Sequence, residues 1–269
     1  MAKNDDDNGS DGSSGNSRYY YDPSLKKWIR SGKGGPTKEQ FRTSPSFART
    51  RERTNEFGGA GKWASEVKGS LSVIGHLAHA RWFNKLSSAG YYIQQKDELN
   101  ELGHRTIAIS NNPLQLFDIE FNIDHPFRSV IRVSHQVSLS PDKKTVTMNI
   151  PEFVTSRDAH WGNKFYAVRI YLVIAQQADV AWNPDIKDYA PVVPDLDLLT
   201  RYSVSDWMVR NSVPVDVNLE ASFVKPALTM PGSSVLVAMG VEFATTTYMG
   251  QPYVTPRCGS MAIVECYSA

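Results

Sequence analysis

The stretch SPSFARTRERTNEFGGAGKW, residues 44–63, marks the point where the chain changes character. Polar, glycine-rich and aromatic sequence lies before it, and apolar residues at helical spacing follow. Ser44 is suited to cap a helix, and Pro45 fits the first helical position because its missing N–H costs nothing there. The stretch therefore predicts the start of a helical region, with an interruption at Gly58-Gly59.

The helical region is predicted over residues 44–103. An apolar stripe at intervals of three and four residues predicts its second helix, and is formed by Trp63, Val67, Leu71, Ile74 and Leu77. A third helix is predicted over about residues 80–99, with Gly90 as its weak point. Gly103 is predicted to end the region, because glycine is common after the last helical turn.

Residues 104–269 have the period of two that is typical of strands. Strands are predicted over residues 106–109, 116–121, 129–139, 145–150, 165–175, 213–223, 234–245 and 261–267. Residues 141–144 predict a hairpin turn, residues 182–200 a Pro/Asp-rich loop, and the apolar run FYAVRIYLVIA at 165–175 a central strand buried on both faces. Strands without intervening helices favour a sandwich. The predicted fold class is α+β, with an extended N-terminal arm, a short helical segment and a C-terminal antiparallel β-sandwich.

The first 43 residues divide into two segments. Residues 1–17 are rich in Asp, Asn, Gly and Ser and are predicted to be a disordered tail. Residues 18–43 are basic and aromatic, and Pro23 and the nearby glycines predict neither strand nor helix. Four aromatic residues are candidate anchors for a subunit interface: Tyr19, Tyr20, Tyr21 and Trp28. Docking on another copy, packing on the chain's own body and binding of nucleic acid are the open alternatives for this arm.

Charged residues at the start of the helical region form a second candidate site. The formal net charge is only +1, but basic residues are concentrated between residues 26 and 53. Arginines at alternate positions fan out around a helix, so they predict pairing within the helix or docking on the body better than a phosphate-binding stripe. The candidate docking residues are Arg49, Arg51, Arg53, Glu56 and Phe57.

The pattern Phe47-x-Arg49-x-Arg51-Glu52-x-x-x-Glu56-Phe57-Gly58 precedes a predicted helix pair and a strand-rich half that closes on VEFATTTYMGQPYV and a short final strand. The order of these features resembles that in an uncharacterised family of bacterial proteins, a family that is typical of Bacteroidota. The resemblance covers about residues 40–269, and R-x-R-E-x-x-x-E-F-G is its most specific part. It implies an architecture and no activity, because no activity is established for that family.

Each of the other polar patterns in the sequence has a functional and a structural interpretation. His76 and His79 lie on one face of the predicted second helix, but no third metal ligand accompanies them. GGAGK fails the phosphate-loop pattern, because Trp63 stands where serine or threonine is required. Asp158 and His160 predict a binding or packing loop. Four aspartates are interpreted as solvated or interfacial: Asp185, Asp188, Asp195 and Asp197. We therefore predict no catalytic residue, no metal site and no cofactor.

The two cysteines and the lengths of the apolar runs indicate the cellular compartment of the protein. In an extended strand Cys258 and Cys266 would lie about 26 Å apart, too far for a disulfide, so free thiols in a reducing compartment are predicted. No apolar run approaches the roughly eighteen residues that span a bilayer, and no signal peptide is visible. We expect synthesis in the cytoplasm and no membrane partner, with release as an extracellular assembly left open.

The function predicted from these features is structural and not enzymatic. A flexible aromatic arm beside a body without a recognisable catalytic pattern favours a subunit that self-assembles into a filament, tube or shell. The alternatives are a component of a phage virion or tail-like particle, and a carbohydrate- or nucleic-acid-binding module. The predicted partner is another copy of the chain, with nucleic acid as the weaker alternative.

Overall fold

The computed structural model of the chain describes residues 12–14, 17–32, 36–162, 165–194, 199–249, 251–254 and 257–269. The chain divides into two compact units, Met1–Arg51 and Glu52–Ala269, which we call the N-terminal unit and the body. The division falls inside the helix Ala48–Ser70 and not at residue 43. Residues 44–51 of the predicted helical segment belong to the N-terminal unit, and residues 52–103 share one unit with the strand-rich half. The fold class is α+β with a β-rich C-terminal half, as predicted.

The elements have the following bounds. The helices are α1 Lys38–Thr43, α2 Ala48–Ser70, α3 Trp82–Gln94, α4 Phe127–Val130 and α5 Thr155–Asp158, and 3₁₀ turns cover Pro45–Phe47, Gly75–Leu77 and Pro113–Gln115. The strands are β1 Gly12–Ser14, β2 Ser17–Asp22, β3 Lys27–Gly32, β4 Ile119–Glu120, β5 Gln136–Leu139, β6 Thr145–Phe153, β7 Ala167–Ala178, β8 Val180–Asn183, β9 Asp188–Pro191, β10 Thr200–Val204, β11 Met208–Val209, β12 Val215–Ser222, β13 Ser233–Ala244, β14 Thr246–Tyr248, β15 Gln251–Tyr253 and β16 Gly259–Ser268.

The N-terminal unit contains an antiparallel sheet with the order β1-β2-β3. The prediction that residues 18–43 form neither strand nor helix is therefore wrong. The prediction of disorder over residues 1–17 is wrong for β1 and for Ser17, which begins β2. The remainder of that segment lies outside the described residues.

The turn between β2 and β3 explains why Pro23 does not break the sheet. Asp22 Oδ1 accepts hydrogen bonds from the backbone N–H groups of Ser24 at 2.9 Å and Leu25 at 3.2 Å. The hydroxyl of Ser24 and these N–H groups lower the pKa of Asp22. Lys26 completes the turn with a positive φ of 48°. Pro23 thus lies in a turn, where its fixed φ is favourable.

The first helix begins earlier than Ser44. Thr37 caps α1, because its hydroxyl accepts the Gln40 N–H at 3.1 Å while Gln40 Oε1 accepts the Thr37 N–H at 2.9 Å. This reciprocal capping box is a common start signal for helices. Ser44 makes no side-chain cap, and Pro45 opens a 3₁₀ turn that leads into α2 at Ala48.

Helix α2 runs without a break through Gly58-Gly59, contrary to the prediction. A Cβ on Gly59 would lie 2.7 Å from Cγ of Tyr189, so this glycine permits close packing and does not end the helix. The helix ends at Ser70. The later members of the predicted apolar stripe are fully buried outside the α-helix: Leu71, Ile74 and Leu77.

Helix α3 lies within the predicted range and packs against α2 at Gly90. A Cβ on Gly90 would lie 2.5 Å from Cε3 of Trp63, and Trp63 is fully buried. Gly90 is therefore a contact point between the helices and not a weak point of α3. The helix ends at Gln94, well before Gly103.

The large sheet of the body has the order β10-β7-β13-β16-β4, with β11 paired to the end of β7. Alternate residues of β7 enter two different apolar cores: Ile170 and Leu172 face one, and Tyr171 and Val173 face the other. The second core also contains Trp63 and Leu86 from the helices. The prediction that this run forms a strand buried on both faces is confirmed.

The opposite face of the large sheet packs on the three-stranded sheet β12-β6-β5. Burial alternates along β12, where Val217 and Leu219 face the core while Asn218 and Glu220 are exposed. The predicted hairpin is confirmed, because β5 and β6 pair on either side of residues 141–144. Helices, a large sheet and a small sheet thus form three layers, two of which make the predicted sandwich.

Some predicted strands are wrong or too long. Within residues 106–109 only an isolated bridge from Ile107 to Val180 forms, and its apolar residues are buried without a strand. Strand 116–121 shortens to β4, because Asp118 has a positive φ of 59°. Residues 129–139 divide between helix α4, which follows Pro126, and strand β5. Part of the predicted loop 182–200 is the β8–β9 hairpin.

No helix in the described part of the chain is both long and apolar enough to cross a membrane.

The contact between Gly90 and Trp63 predicts opposite effects for two glycine substitutions. Gly90→Ala should lower the free energy of unfolding by about 1–3 kcal/mol, because the added methyl group overpacks the core. The control Gly58→Ala meets nothing within 4 Å and should raise that free energy by about 0.5–1 kcal/mol, since alanine favours the helix. Urea unfolding followed by circular dichroism measures both. Equal stabilisation by the two substitutions would contradict the contact.

Candidate functional site

The candidate anchor residues lie together on the sheet of the N-terminal unit. The β2–β3 register sets Tyr19 opposite Arg30, Tyr20 opposite Ile29, and Tyr21 opposite Trp28. Because side chains alternate along a strand, Tyr19, Tyr21, Trp28 and Arg30 share one face, which we call the aromatic–cation face. On it the rings of Tyr21 and Trp28 meet edge to face with centroids 5.7 Å apart. The Arg30 guanidinium lies 5.9 Å from the ring centroid of Tyr19.

These aromatic side chains are only partly covered. Tyr20, Tyr21 and Trp28 keep 37%, 45% and 39% of their surface exposed, and Leu25 keeps 55%. Among the described side chains of residues 17–51, Ser17 alone is buried. A small sheet needs a covered apolar face to be stable. The described part of this unit therefore has no core of its own, and its sheet is suited to contact another surface.

The candidate docking residues at the helix start have separate roles. Arg51 Nη1 donates to the carbonyl oxygens of Phe41 at 2.7 Å and Ser44 at 2.9 Å, which braces the N-terminal unit. Glu56 is fully buried in the body. The other three side chains are exposed: Arg49, Arg53 and Phe57. The candidate docking residues therefore do not form one site, because Arg51 braces the N-terminal unit, Glu56 is buried in the body and the other three side chains are exposed.

Glu56 forms a two-pronged ion pair with Arg105, a residue that no sequence pattern singled out. Oε1 accepts from Nε at 2.6 Å, and Oε2 accepts from Nη2 at 2.7 Å. Oε1 also accepts the N–H of Gly103 at 3.0 Å, where a positive φ of 94° favours glycine. The hydrogen bond to Glu56 raises the pKa of Arg105. The pair fixes α2 to the segment that follows α3.

Glu242 on β13 is a second buried carboxylate. Its Oε1 lies 2.9 Å from Nε2 of His76, and its Oε2 accepts from Arg169 Nε at 2.7 Å and from the Tyr171 hydroxyl at 2.9 Å. The Arg169 guanidinium lies 4.5 Å from the ring centroid of Trp207. Burial raises the pKa of Glu242, but the hydrogen bonds from His76, Arg169 and Tyr171 outweigh it and hold that pKa below its usual value. A single acid inside an apolar strand is the sequence signal for such a pair.

His76 and His79 do not share a helix face, because α2 ends at Ser70. His76 faces Glu242, whereas His79 Nε2 lies 3.8 Å from Asp124 Oδ2. Within the described ranges, no three His, Cys, Asp or Glu side chains are grouped so that they could hold a metal ion.

Asp158 does not lie in the predicted loop but ends helix α5, and His160 follows it; both belong to a segment that packs within the body. Asp158 accepts hydrogen bonds from Arg157 Nε at 2.7 Å and from the Val154 N–H at 2.8 Å. The neighbouring Trp161 stacks on Phe243 with ring centroids 5.3 Å apart. These contacts favour packing over ligand binding for this segment.

Two of the four aspartates of the predicted loop lie in the described part of the chain. Asp185 is exposed in the turn between β8 and β9, and Asp188 pairs with Lys62 at 2.5 Å. Asp195 and Asp197 lie outside the described residues. The prediction that they are solvated or interfacial is thus left untested for the last two.

Neither cysteine forms a disulfide within the described chain, as predicted. Cys258 is half-buried just before β16, and Cys266 is buried within that strand. Burial raises the pKa of Cys266 to about 12, which makes its thiol a poor nucleophile near neutral pH.

A groove of about 700 Å³ lies beside β5 and β16. Both strands have open edges here, since β5 is the outer strand of its sheet and β16 pairs with β4 at two positions. Side chains occupy these edges: the Tyr267 hydroxyl donates to the Val137 carbonyl at 3.3 Å, and Glu265 Oε1 accepts the Cys266 N–H at 3.0 Å. Such contacts protect edges against the addition of another strand.

Comparison of the sequence with models of known protein families and with curated proteins finds no match to either. The resemblance to a Bacteroidota-type family therefore stays a prediction, carried by the pattern at residues 47–58.

The Glu242 cluster predicts a pH-dependent loss of stability. Because the folded pKa is below the usual value of about 4.3, the cluster stabilises the fold above that pH and loses its effect as the pH falls through the folded pKa. At pH 7, Glu242→Gln should lower the free energy of unfolding by about 1.5–3 kcal/mol, the range for charged hydrogen bonds. Urea unfolding across pH checks this.

The matched control is Glu220→Gln, an exposed position on β12. It should leave the stability nearly unchanged at every pH. A stability difference between Glu242→Gln and the native chain that persists undiminished in acid would contradict the assigned role of the carboxylate.

Proposed function

We propose that this chain is a structural subunit that self-associates through the sheet of its N-terminal unit and builds a filament, tube or shell. The observation that carries the proposal is the aromatic surface of Tyr21 and Trp28 on one face of the sheet, with Tyr20 on the opposite face; each of these side chains is more than a third exposed. Exposed aromatic clusters are typical of interaction sites. Tyr, Trp and Arg are also the side chains that contribute most to binding at interfaces.

The buried charged side chains of the body support a structural role, because other side chains of the body pair with them. Glu56 is held by Arg105, and Glu242 by Arg169, His76 and Tyr171. Each carboxylate oxygen of these two residues accepts at least one hydrogen bond at 3.0 Å or less. Glu56 connects α2 to the segment after α3, Glu242 connects the large sheet to the turn that carries His76, and on this basis we infer a role other than catalysis.

A component of a phage virion or tail-like particle is the same proposal in another setting, since the assembly contact is identical. A nucleic-acid-binding module is the second candidate. It is favoured by the cations Lys26, Lys27 and Arg30 beside exposed rings, because stacking and phosphate contacts together bind single strands. Both candidates start from synthesis in the cytoplasm, and an assembled polymer could then be released from the cell.

The proposal predicts that loss of the aromatic surface abolishes association. The full-length double variant Tyr21→Ser/Trp28→Ser should lose the large species seen for the native chain by light scattering and negative-stain electron microscopy. The physical reason is that two rings with much of their surface exposed can no longer be buried between copies. Tyr202→Ser is the control, since Tyr202 is 55% exposed on β10 of the body and lies outside the proposed surface.

Unchanged assembly of the double variant, or equal loss in the control, would contradict the role of this surface. A native chain that is monomeric at high concentration and binds a single-stranded oligonucleotide with a steep salt dependence would favour the binding module instead.

A further inference from the structure

Strand β3 presents an open edge. In the described residues it pairs with β2 along its whole length and with no other strand. The edges of β5 and β16 are occupied by Tyr267 and Glu265. By contrast, two side chains of β3 point back to its own sheet, because Arg30 Nε donates to Ser17 Oγ at 2.9 Å and Trp28 contacts Tyr21. One backbone group of β3 is engaged by a side chain, at the end of the strand, where the Ser31 hydroxyl donates to the Gly32 carbonyl at 3.3 Å. An edge left open in this way is a template for another strand.

We propose that two copies of this chain join through β3, antiparallel and with two-fold symmetry about Ile29, so that their three-stranded sheets become one continuous sheet. This inference rests on the proposed function and names its first contact. The occupant of the open edge is β3 of a second copy, and the charges of the strand select the register.

A two-fold axis perpendicular to the sheet sets one residue of β3 opposite itself. An axis at Arg30 would put two guanidinium groups directly opposite each other, which destabilises a strand pair. An axis at Trp28 would put Arg30 opposite Lys26, another pair of like charges, and Lys26 lies in the turn with a positive φ of 48°. An axis at Ile29 avoids both and pairs residues 27–31 of β3 with the same residues of the second copy.

The register about Ile29 is complementary on both faces. On the aromatic–cation face it sets Arg30 opposite Trp28 of the second copy, and Trp28 opposite Arg30 of that copy. In each row across the joined sheet a guanidinium group then lies between two rings, and rings and guanidinium groups attract each other. On the other face, where Tyr20 pairs with Ile29, it forms an uninterrupted apolar row of Tyr20, Ile29, Ile29 and Tyr20.

The symmetry of this contact also limits what it builds. A two-fold contact uses the same surface on both copies and closes on itself. The pairing of β3 therefore yields a dimer, and a filament, tube or shell would be built from such dimers through a second contact.

Cysteine cross-linking in the full-length chain tests the register. Residues directly opposite in an antiparallel pair have Cα atoms about 4.5–5.5 Å apart, within disulfide range. Ile29→Cys, in a Cys258→Ser background, should therefore convert most of the protein into a covalent dimer on a non-reducing gel after mild oxidation. The Cys258→Ser parent should remain a single chain, because Cys266 is buried.

Two further variants are matched controls. Ser31→Cys alone should not cross-link, because the two copies of this residue would lie about 13 Å apart along the strands. Lys27→Cys/Ser31→Cys should cross-link, since this register sets each of these residues opposite the other in the second copy. The double variant also keeps the test valid if Ile29→Cys does not fold.

The outcomes separate this inference from the proposed function. Dimers from Ile29→Cys or from the double variant, with Ser31→Cys unlinked, support the register. A cross-link in Ser31→Cys alone overturns the register. The register is also overturned if no variant cross-links although light scattering shows that the chain associates, and in that case the proposal of self-association is kept. A chain that is monomeric at all concentrations overturns both.

Discussion

Burial of the large sheet on both faces is the constraint on which the rest of the body depends. Every residue of β13 is buried, and Arg169 is the one residue of β7 that is not. A sheet enclosed in this way needs an apolar layer on each side, because each square ångström of apolar surface left in water costs about 25 cal/mol. The helices α2 and α3 supply one layer, and the small sheet β12-β6-β5 supplies the other.

Two charge clusters hold these layers in position. Glu242 connects neighbouring strands of the large sheet to the turn that carries His76. Glu56 connects α2 to Arg105, beyond the end of α3. Removing one partner of such a pair leaves a buried charge without an opposite charge beside it. Each pair therefore favours one arrangement of its elements, even where it adds little net stability. Both carboxylates are therefore engaged in contacts between elements of the body.

The N-terminal unit does not meet the requirement for apolar burial within its described residues. Its sheet carries large rings but no buried apolar side chain among the described residues 17–51. Its aromatic–cation face is ordered by contacts between neighbouring strands, as between Tyr21 and Trp28. A second copy of the same sheet can extend these rows without placing like charges together. Assembly would then complete a structure that a single copy leaves open.

The sequence by itself determined the features that depend on neighbouring residues: the β-rich C-terminal half, the strand at residues 165–175 and the turn at residues 141–144. Hydrophobic period and turn residues are local properties, so they can be seen without a fold. The β2–β3 hairpin also depends on neighbouring residues. Pro23 predicts a break in the strand, whereas it lies in the turn that Asp22 stabilises.

Only the tertiary structure decided which residues meet across the chain. It placed Trp63 against Gly90, which changed a predicted weak point into a helix contact. It paired Glu56 with Arg105, 49 residues away, and Glu242 with Arg169, 73 residues away. No local pattern encodes such partners, because the energy of a buried glycine contact or a buried ion pair depends on what the folded chain brings beside it.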